Sequence, residues 1–232
     1  MKKIIVLISG GGSNLEAIAK ACQTGNIPAS IELVISNQSN VKGLERAKKF
    51  HLMSKVIEHK DFNSRDEFDQ ALLEQILPIE PDLVVLAGFM RILSSDFTDV
   101  LNGKLINIHP SLLPDYPGLN THKQAIDNGD LMHGISVHYV NNELDGGPII
   151  AQGALKIDPA QSEAKLINRI HKIEHAIFPK VIADITKGYI TLQGAEVKFE
   201  DKSLFAYFFP QLFLGGSGST KHSSPGFMVV LT

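Results

Sequence analysis

Two short stretches carry residue types that together can move a proton and steady a charged oxygen. In Asn107-Ile108-His109-Pro110-Ser111-Leu112-Leu113-Pro114-Asp115-Tyr116-Pro117-Gly118, an amide and an imidazole follow an apolar run, Lys104-Leu105-Ile106, that reads as a strand. Residues i and i+2 of a strand point to one face, so Asn107 and His109 would project together. The three prolines from Pro110 to Pro117 bar helix or central strand beyond the pair, which leaves both side chains held at a strand end. The second stretch, Leu144-Asp145-Gly146-Gly147-Pro148, supplies a carboxylate. Asp before Gly is commonly an ordinary turn residue. Beside His109, however, Asp145 would favour the charged imidazole and raise the pKa of a group suited to shuttle protons near neutrality.

A third stretch, Ser9-Gly10-Gly11-Gly12-Ser13-Asn14, lies between an apolar run and a helical pattern. Glycines let backbone N–H groups approach a ligand, and a helix N-terminus favours an anion. Gly10 and Gly12 match the first two glycines of G-x-G-x-x-G, but Leu15 takes the third place, and Ser36-Asn37 ends the second strand without an acidic residue. A phosphate monoester therefore fits better than a dinucleotide, the other reading being a glycine turn with no ligand.

Other patterns carry less. Ser111 with His109 and Asp145 has the residue types of a hydrolase triad, yet Ser111 sits in a proline-bound loop without a G-x-S-x-G turn. His171-Lys172-Ile173-Glu174-His175 matches H-x-x-E-H, but no third ligand follows, so no metal is expected and His175 reads as a satisfied helix residue. His51, His59, His122, His133 and His138 have no cluster spacing and read as structural.

The elements that must position these groups alternate. Strands are expected over residues 4–8, 31–35, 53–57, 83–87, the run before Asn107, 135–140 and 149–155. Helices are expected over 13–24, 44–50, from the capping box Ser64–Glu67 to Pro78, from Ser94 or Ser95 to Leu101, over 121–128, and over 162–187 with a kink at Pro179. This order predicts an α/β fold, a doubly wound, mostly parallel, Rossmann-like sheet with helices on both faces. Ligands of such sheets bind beyond the carboxyl ends of the strands, where the motifs after the first, fourth and fifth strands should converge. Residues 1–200 read as one domain. The tail, 201–232, is atypical, with Phe205, Tyr207, Phe208, Phe209 and Phe213 ahead of a Gly/Ser run, Gly215-Gly216-Ser217-Gly218-Ser219. It reads equally as an expression remnant, a frameshifted end or a native segment.

Composition narrows the setting. A net charge of −3 and a pI near 6.3 give no basic surface of the kind nucleic acid demands. Cys22 is the only cysteine, which suits a reducing, cytoplasmic compartment. Met1-Lys2-Lys3 before Ile4-Ile5-Val6-Leu7-Ile8 imitates a signal peptide, but the apolar run is shorter than the roughly 7–15 residues of a true one. No run approaches the roughly 20 apolar residues of a membrane span.

With Ala87-Gly88-Phe89-Met90-Arg91-Ile92-Leu93 added to the three stretches above, the chain resembles the phosphoribosylglycinamide formyltransferase family, the folate-dependent transformylases of purine synthesis, from Met1 to about Leu192. The resemblance implies direct transfer of a formyl group from 10-formyltetrahydrofolate, as co-substrate, to the amine of glycinamide ribonucleotide. No metal and no tightly bound cofactor is implied, and a homodimer is compatible with it. Gly12, Ser13 and Asn14 would hold the phosphate and Glu174 the ribose hydroxyls. His171 stands where the family often has an amide or basic residue, and would assist the phosphate in a pH-dependent way. Arg65 and Arg91 would face the folate's glutamate tail. Met90, Arg91, Ile92 and Leu93, with Asn107, Asn141, Asn142, Glu143, Leu144 and Asp145, would form its pocket. Asn107 would donate to the oxyanion of a tetrahedral intermediate, His109 would relay the proton, and Asp145 would orient His109. Of the related enzymes, methionyl-tRNA formyltransferase would need a C-terminal RNA-contacting domain, and the deformylase an N-terminal regulatory one. A binding protein that has lost activity is the rival from another class.

Overall fold

Five consecutive apolar residues, Ile4 to Ile8, are fully buried in β1 (Lys2–Ile8). Alternation along the strand sends Ile4, Val6 and Ile8 to one face and Ile5 and Leu7 to the other, each into its own apolar cluster. A strand needs two apolar faces only when both are covered, and both are. Each such side chain contributes on the order of 1.5–3 kcal/mol by leaving water.

The computed structural model describes residues 1–200 and the backbone of residues 227–231. After β1 come α1 (Ser13–Gln23), β2 (Ala29–Ser36), α2 (Lys42–Lys49), β3 (Ser54–Val56), α3 (Arg65–Ile76), β4 (Leu83–Leu86), α4 (Ser95–Val100) and β5 (Leu105–His109). Then follow α5 (Thr121–Asp127), β6 (Met132–Tyr139), β7 (Ile149–Lys156), α6 (Glu163–Thr186), β8 (Ile190–Gln193), β9 (Glu196–Phe199) and β10 (Phe227–Leu231). The main sheet runs β10-β7-β6-β5-β4-β1-β2-β3, and β8 with β9 forms a separate hairpin. Pairs from β5 to β3 are parallel, as is β7 with β10, whereas β6 runs antiparallel to both β5 and β7. The expected mostly parallel α/β sheet is what forms. On one face Leu15 and Ile18 of α1 and Ile170, Phe178 and Ile182 of α6 cover the sheet. On the other lie Phe68, Leu72 and Ile76 of α3 with Phe97 of α4.

The chain steps from β1 outward to β2 and β3, then returns to place β4 on the other side of β1. A crevice opens at the carboxyl ends of strands where the winding reverses in this way. Two loops meet there: Ser9 N–H donates to the Gly88 carbonyl (3.2 Å), and Met90 N–H to Ser9 Oγ (2.7 Å).

Some boundaries depart from expectation. β6 begins at Met132, three residues before the alternating stretch read from sequence. α6 runs through Pro179 as one element, opened by Ser162, whose Oγ accepts from Lys165 N–H. The β8–β9 hairpin was not anticipated; Gly194, at φ +62°, marks its turn, with Ile190 and Val197 buried on either side. The aromatic and Gly/Ser stretches of the tail lie outside the described residues. Phe227–Leu231, to which no structure was assigned, pairs along β7. Among the described residues, no helix is long and apolar enough to cross a membrane.

Candidate active site

Asn107 and His109 project from the carboxyl end of β5, as the two-residue spacing requires. Because β6 is the antiparallel neighbour of β5, His138 stands directly opposite Asn107, and Ser136 opposite His109. Facing residues of adjacent strands share a side of the sheet. His138, read from sequence as structural, therefore belongs to the site, and that reading is corrected.

Asp145 joins them from the far end of a loop, in a left-handed conformation (φ +51°). Its Oδ2 lies 3.4 Å from His109 Nδ1 and accepts from Gly118 N–H at 2.9 Å. Its Oδ1 accepts from Asn107 Nδ2 at 3.4 Å. The other nitrogen of His109, Nε2, lies 2.8 Å from the Tyr116 carbonyl. Both ring nitrogens thus face oxygen acceptors, an arrangement complete only when both carry a proton.

His138 has the opposite character. Its Nδ1 donates to the Tyr139 carbonyl (2.8 Å), so Nε2 presents a lone pair, which the Asn107 amide meets at 3.2 Å. Burial pushes the His138 pKa down, more than the neighbouring Asp145 pulls it up, so the ring stays neutral. The 3.8 Å approach of its Nε2 to Asp145 Oδ1 is accordingly a contact between two acceptors and not an ion pair. A neutral acceptor here dictates which end of the Asn107 amide turns inward.

The proline-rich loop is held by buried polar groups that its own sequence does not announce. Ser136 Oγ donates to the Ser111 carbonyl (2.8 Å) and accepts from Leu113 N–H (2.9 Å). Gln152 Nε2 bridges the Leu113 carbonyl and Ser136 Oγ, each at 2.9 Å. Ser111 is fully buried and donates its hydroxyl to the Asp115 carbonyl at 2.5 Å, which leaves it no part as a nucleophile. The Leu113–Pro114 peptide is cis. Tyr116, at φ +55°, ties its phenol to Asp130 (2.6 Å) and receives the Asn128 amide (2.9 Å).

At the other end of the crevice, Gly12 is the N-cap of α1 at φ +72°. Among the described residues no side chain caps this helix, so its first-turn N–H groups stay open to an external acceptor. Asn14 and Glu174, 160 positions apart, meet in a buried hydrogen bond, Nδ2 to Oε2 at 2.9 Å. Burial raises the Glu174 pKa, while Asn14 and His171 pull it down. Asn14 Oδ1 is buried without a partner among the described residues. A free acceptor beside a carboxylate suits hydroxyl donors.

His171 and His175 stack at 6.1 Å between ring centres. His175 is not satisfied as expected: its Nε2 is buried and unpartnered among the described residues, and burial followed by His171 lowers its pKa. His122 pairs with His133 across 3.0 Å and lies within electrostatic reach of both His109 and His171. Among the described residues no group of three or more His, Cys, Asp or Glu could hold a metal ion.

The residues expected to meet the folate fall into two kinds. Met90, Ile92 and Leu144 expose apolar side chains at 61%, 56% and 53%, the sort of surface that awaits an apolar partner. Leu93 is partly buried against the α3 face, and Arg91 is exposed. Arg65, at the start of α3, has a 4.0 Å contact with Asp66. Asn141 and Asn142, by contrast, direct their amides at protein. Asn141 Oδ1 accepts from Glu143 N–H (3.0 Å), while Asn142 accepts from the Thr98 hydroxyl and reaches Asp99 at 3.5 Å.

Comparison with known proteins identifies the family. The formyl transferase family model matches residues 2–182. The chain belongs to the formyl transferase family. Within that family it is 48% identical over 189 residues to the phosphoribosylglycinamide formyltransferase of Escherichia coli, covering 82% of this chain and 89% of that one. The phosphoribosylglycinamide formyltransferase of Coxiella burnetii, solved with CHES, superposes with a TM-score of 0.82 at 43% identity, over 86% of this chain and 93% of that one. Glycinamide ribonucleotide transformylase 1 of Symbiobacterium toebii gives 0.83 at 38% identity, over 87% and 95%. The resemblance read from the motifs thus holds across most of the chain.

Proposed function

We propose that the chain transfers the formyl group of 10-formyltetrahydrofolate to the amine of phosphoribosylglycinamide, in de novo purine biosynthesis. The observation that carries this reading is the joint placement of an Asn107–His109–Asp145 cluster and an open helix N-terminus around one crevice. The nucleotide phosphate would sit on the N–H groups from Gly12 to Asn14, with Asn14 Oδ1 and Glu174 taking the ribose hydroxyls. His171 lies one turn from Glu174 on the same face of α6 and would assist the phosphate. The folate would lie against Met90, Ile92, Leu93 and Leu144, its acidic tail toward Arg65 and Arg91. Asn141, Asn142 and Glu143 would contribute backbone.

The chemistry follows from the hydrogen bonds. Attack of the amine on the formyl carbon forms a C–N bond and leaves a negative oxygen; collapse breaks the bond to the folate nitrogen. The amine loses one proton and the folate nitrogen gains one, with His109 or a water as the relay. In the resting site His109 Nε2 donates to a neutral carbonyl, that of Tyr116, and the Asn107 amide to His138 and Asp145. A neutral formyl oxygen has little to offer in exchange, whereas an oxyanion makes a charge-assisted bond about twice as strong. Donors released only to the charged species bind the transition state better than the substrate, which is what accelerates a reaction. Asp145 would keep the His109 ring oriented through the Nδ1 contact.

The hydrolytic alternative, deformylation, would need no phosphate site. Release of tetrahydrofolate from 10-formyltetrahydrofolate, with and without glycinamide ribonucleotide, separates the two. Release that depends on the nucleotide and yields formylated product supports the transferase; equal release with formate overturns it.

A further inference from the structure

The glycine loop must present N–H groups, and not carbonyls, to an anion. A side chain at Gly10 or Gly11 would meet nothing within 4 Å, so side-chain packing does not set this segment. The orientation comes from α2. Gly43 N–H takes the Gly10 carbonyl at 2.9 Å, and the Arg46 guanidinium takes the Gly11 carbonyl. Both carbonyls are thereby pulled to the α2 side. The backbones close tightly there: a Cβ on Gly12 would stand 2.5 Å from Gly43 Cα.

Arg46 is anchored in turn. Its Nε donates to Glu16 Oε2 at 2.8 Å, from the first turn of α1. Lys20 and Lys49 reach the other oxygen of Glu16 at 3.1 and 3.7 Å. Glu16 thus stays ionised close to where an anion would bind, its pKa held at about 2 chiefly by Arg46 and Lys20. A planar guanidinium with donors on several edges can join a carboxylate to a carbonyl in one fixed geometry, which an ammonium cannot.

We infer that Arg46 is a positioning residue for substrate phosphate, bridging Glu16 and the Gly11 carbonyl so that the glycine loop turns its N–H groups toward the anion. This rests on reading the loop as the phosphate site. The consequence runs against simple electrostatics. Removing the Glu16 charge leaves Arg46 cationic and takes a negative group away from the phosphate. Attraction alone would then tighten nucleotide binding; loss of the brace would loosen it.

The test measures KM and kcat for glycinamide ribonucleotide, for its dephosphorylated riboside and for the folate, in the parent enzyme and in Glu16→Gln, Arg46→Lys and Arg46→Ala. Expected for Arg46→Ala is a rise of about 10- to 100-fold in nucleotide KM, the scale of one lost charge-assisted bond. The riboside and folate should stay within about twofold of the parent, since the riboside lacks the phosphate that the loop would hold and the folate lies at the other end of the crevice. Glu16→Gln should raise nucleotide KM several-fold, and Arg46→Lys should recover only part of the loss. A lower nucleotide KM in Glu16→Gln, or equal losses on nucleotide and riboside, overturns the brace. A parent enzyme that does not distinguish nucleotide from riboside overturns the phosphate reading itself. Should Arg46→Ala fold poorly, as thermal melting would reveal, the sign of the Glu16→Gln effect decides the matter alone.

Discussion

The two ends of the crevice are built by different means. At the glycine loop, backbone groups face the ligand and close packing sets their shape, with Gly12 and Gly43 in direct contact. At the β5 end, side chains face the ligand and are oriented by other side chains, Asp145 and His138 acting on Asn107 and His109. A backbone site tolerates little change of shape or of the groups that brace it. A side-chain site behaves conversely: its geometry survives substitution while its proton inventory does not. Substitutions at the β5 end should therefore act on turnover, and those at the glycine loop on affinity and stability.

The largest effect is expected at His109. His109→Ala should lower kcat by about 10²–10⁴-fold, the usual contribution of a positioned acid or base, while dissociation constants of both substrates, measured by calorimetry, stay within about tenfold. Near-normal turnover would remove the assigned role. The glycine loop should answer differently. Gly12→Ala places a Cβ against Gly43 at φ +72°, and should cost about 1–3 kcal/mol of stability together with nucleotide affinity. Gly10→Ala, with open space around it, is the control, and equal melting temperatures for the two variants would contradict the packing account.

How far the sequence foretold these two ends follows from the same difference. A glycine loop between an apolar run and a helix is local, and so is the two-residue spacing of Asn107 and His109. The capping box was local too: Ser64 Oγ accepts from Glu67 N–H at 3.1 Å, although Glu67 reaches back to Asn63 N–H and not to Ser64. His138 could not be found this way. Its place opposite Asn107 depends on β6 running antiparallel to β5, which the alternation of 135–140 does not specify. Arg46, Ser136 and Gln152 likewise act through partners 16 to 39 positions away. For Ser136 and Gln152 the sequence signal is that a polar residue in an otherwise buried strand needs a partner; Arg46, on helix α2, carries no such signal.

A smaller effect should appear at Thr98. Its hydroxyl holds Asn142 of the loop that carries Asp145, yet Ser94 and Ser95 offer it carbonyls within 3.3 and 2.9 Å. One proton cannot serve all three acceptors, so the loop can leave without stranding a buried donor. Thr98→Val should raise folate KM about three- to tenfold, leave nucleotide KM unchanged, and be rescued by Thr98→Ser. A rise in both KM values would mean a general disturbance and no hold on the loop.

The smallest effect concerns His122 and His133, which join α5 to β6. Burial leads the causes that push each down to about 4, helped at His122 by the neighbouring His133 and opposed at His133 by Asp130. The folded chain then binds fewer protons than the unfolded one between pH 6.5 and 4, so stability rises with pH across that window. The contribution is complete above about pH 6.5, fades as pH falls, and is gone below about 4. Burial raises Glu174, which works the other way at the acid end of the window and blunts the fall. Thermal melts from pH 7 to 4 should show the parent losing a few degrees more than His133→Gln, which lacks one of the two rings. Parallel curves would show that this pair does not titrate with folding.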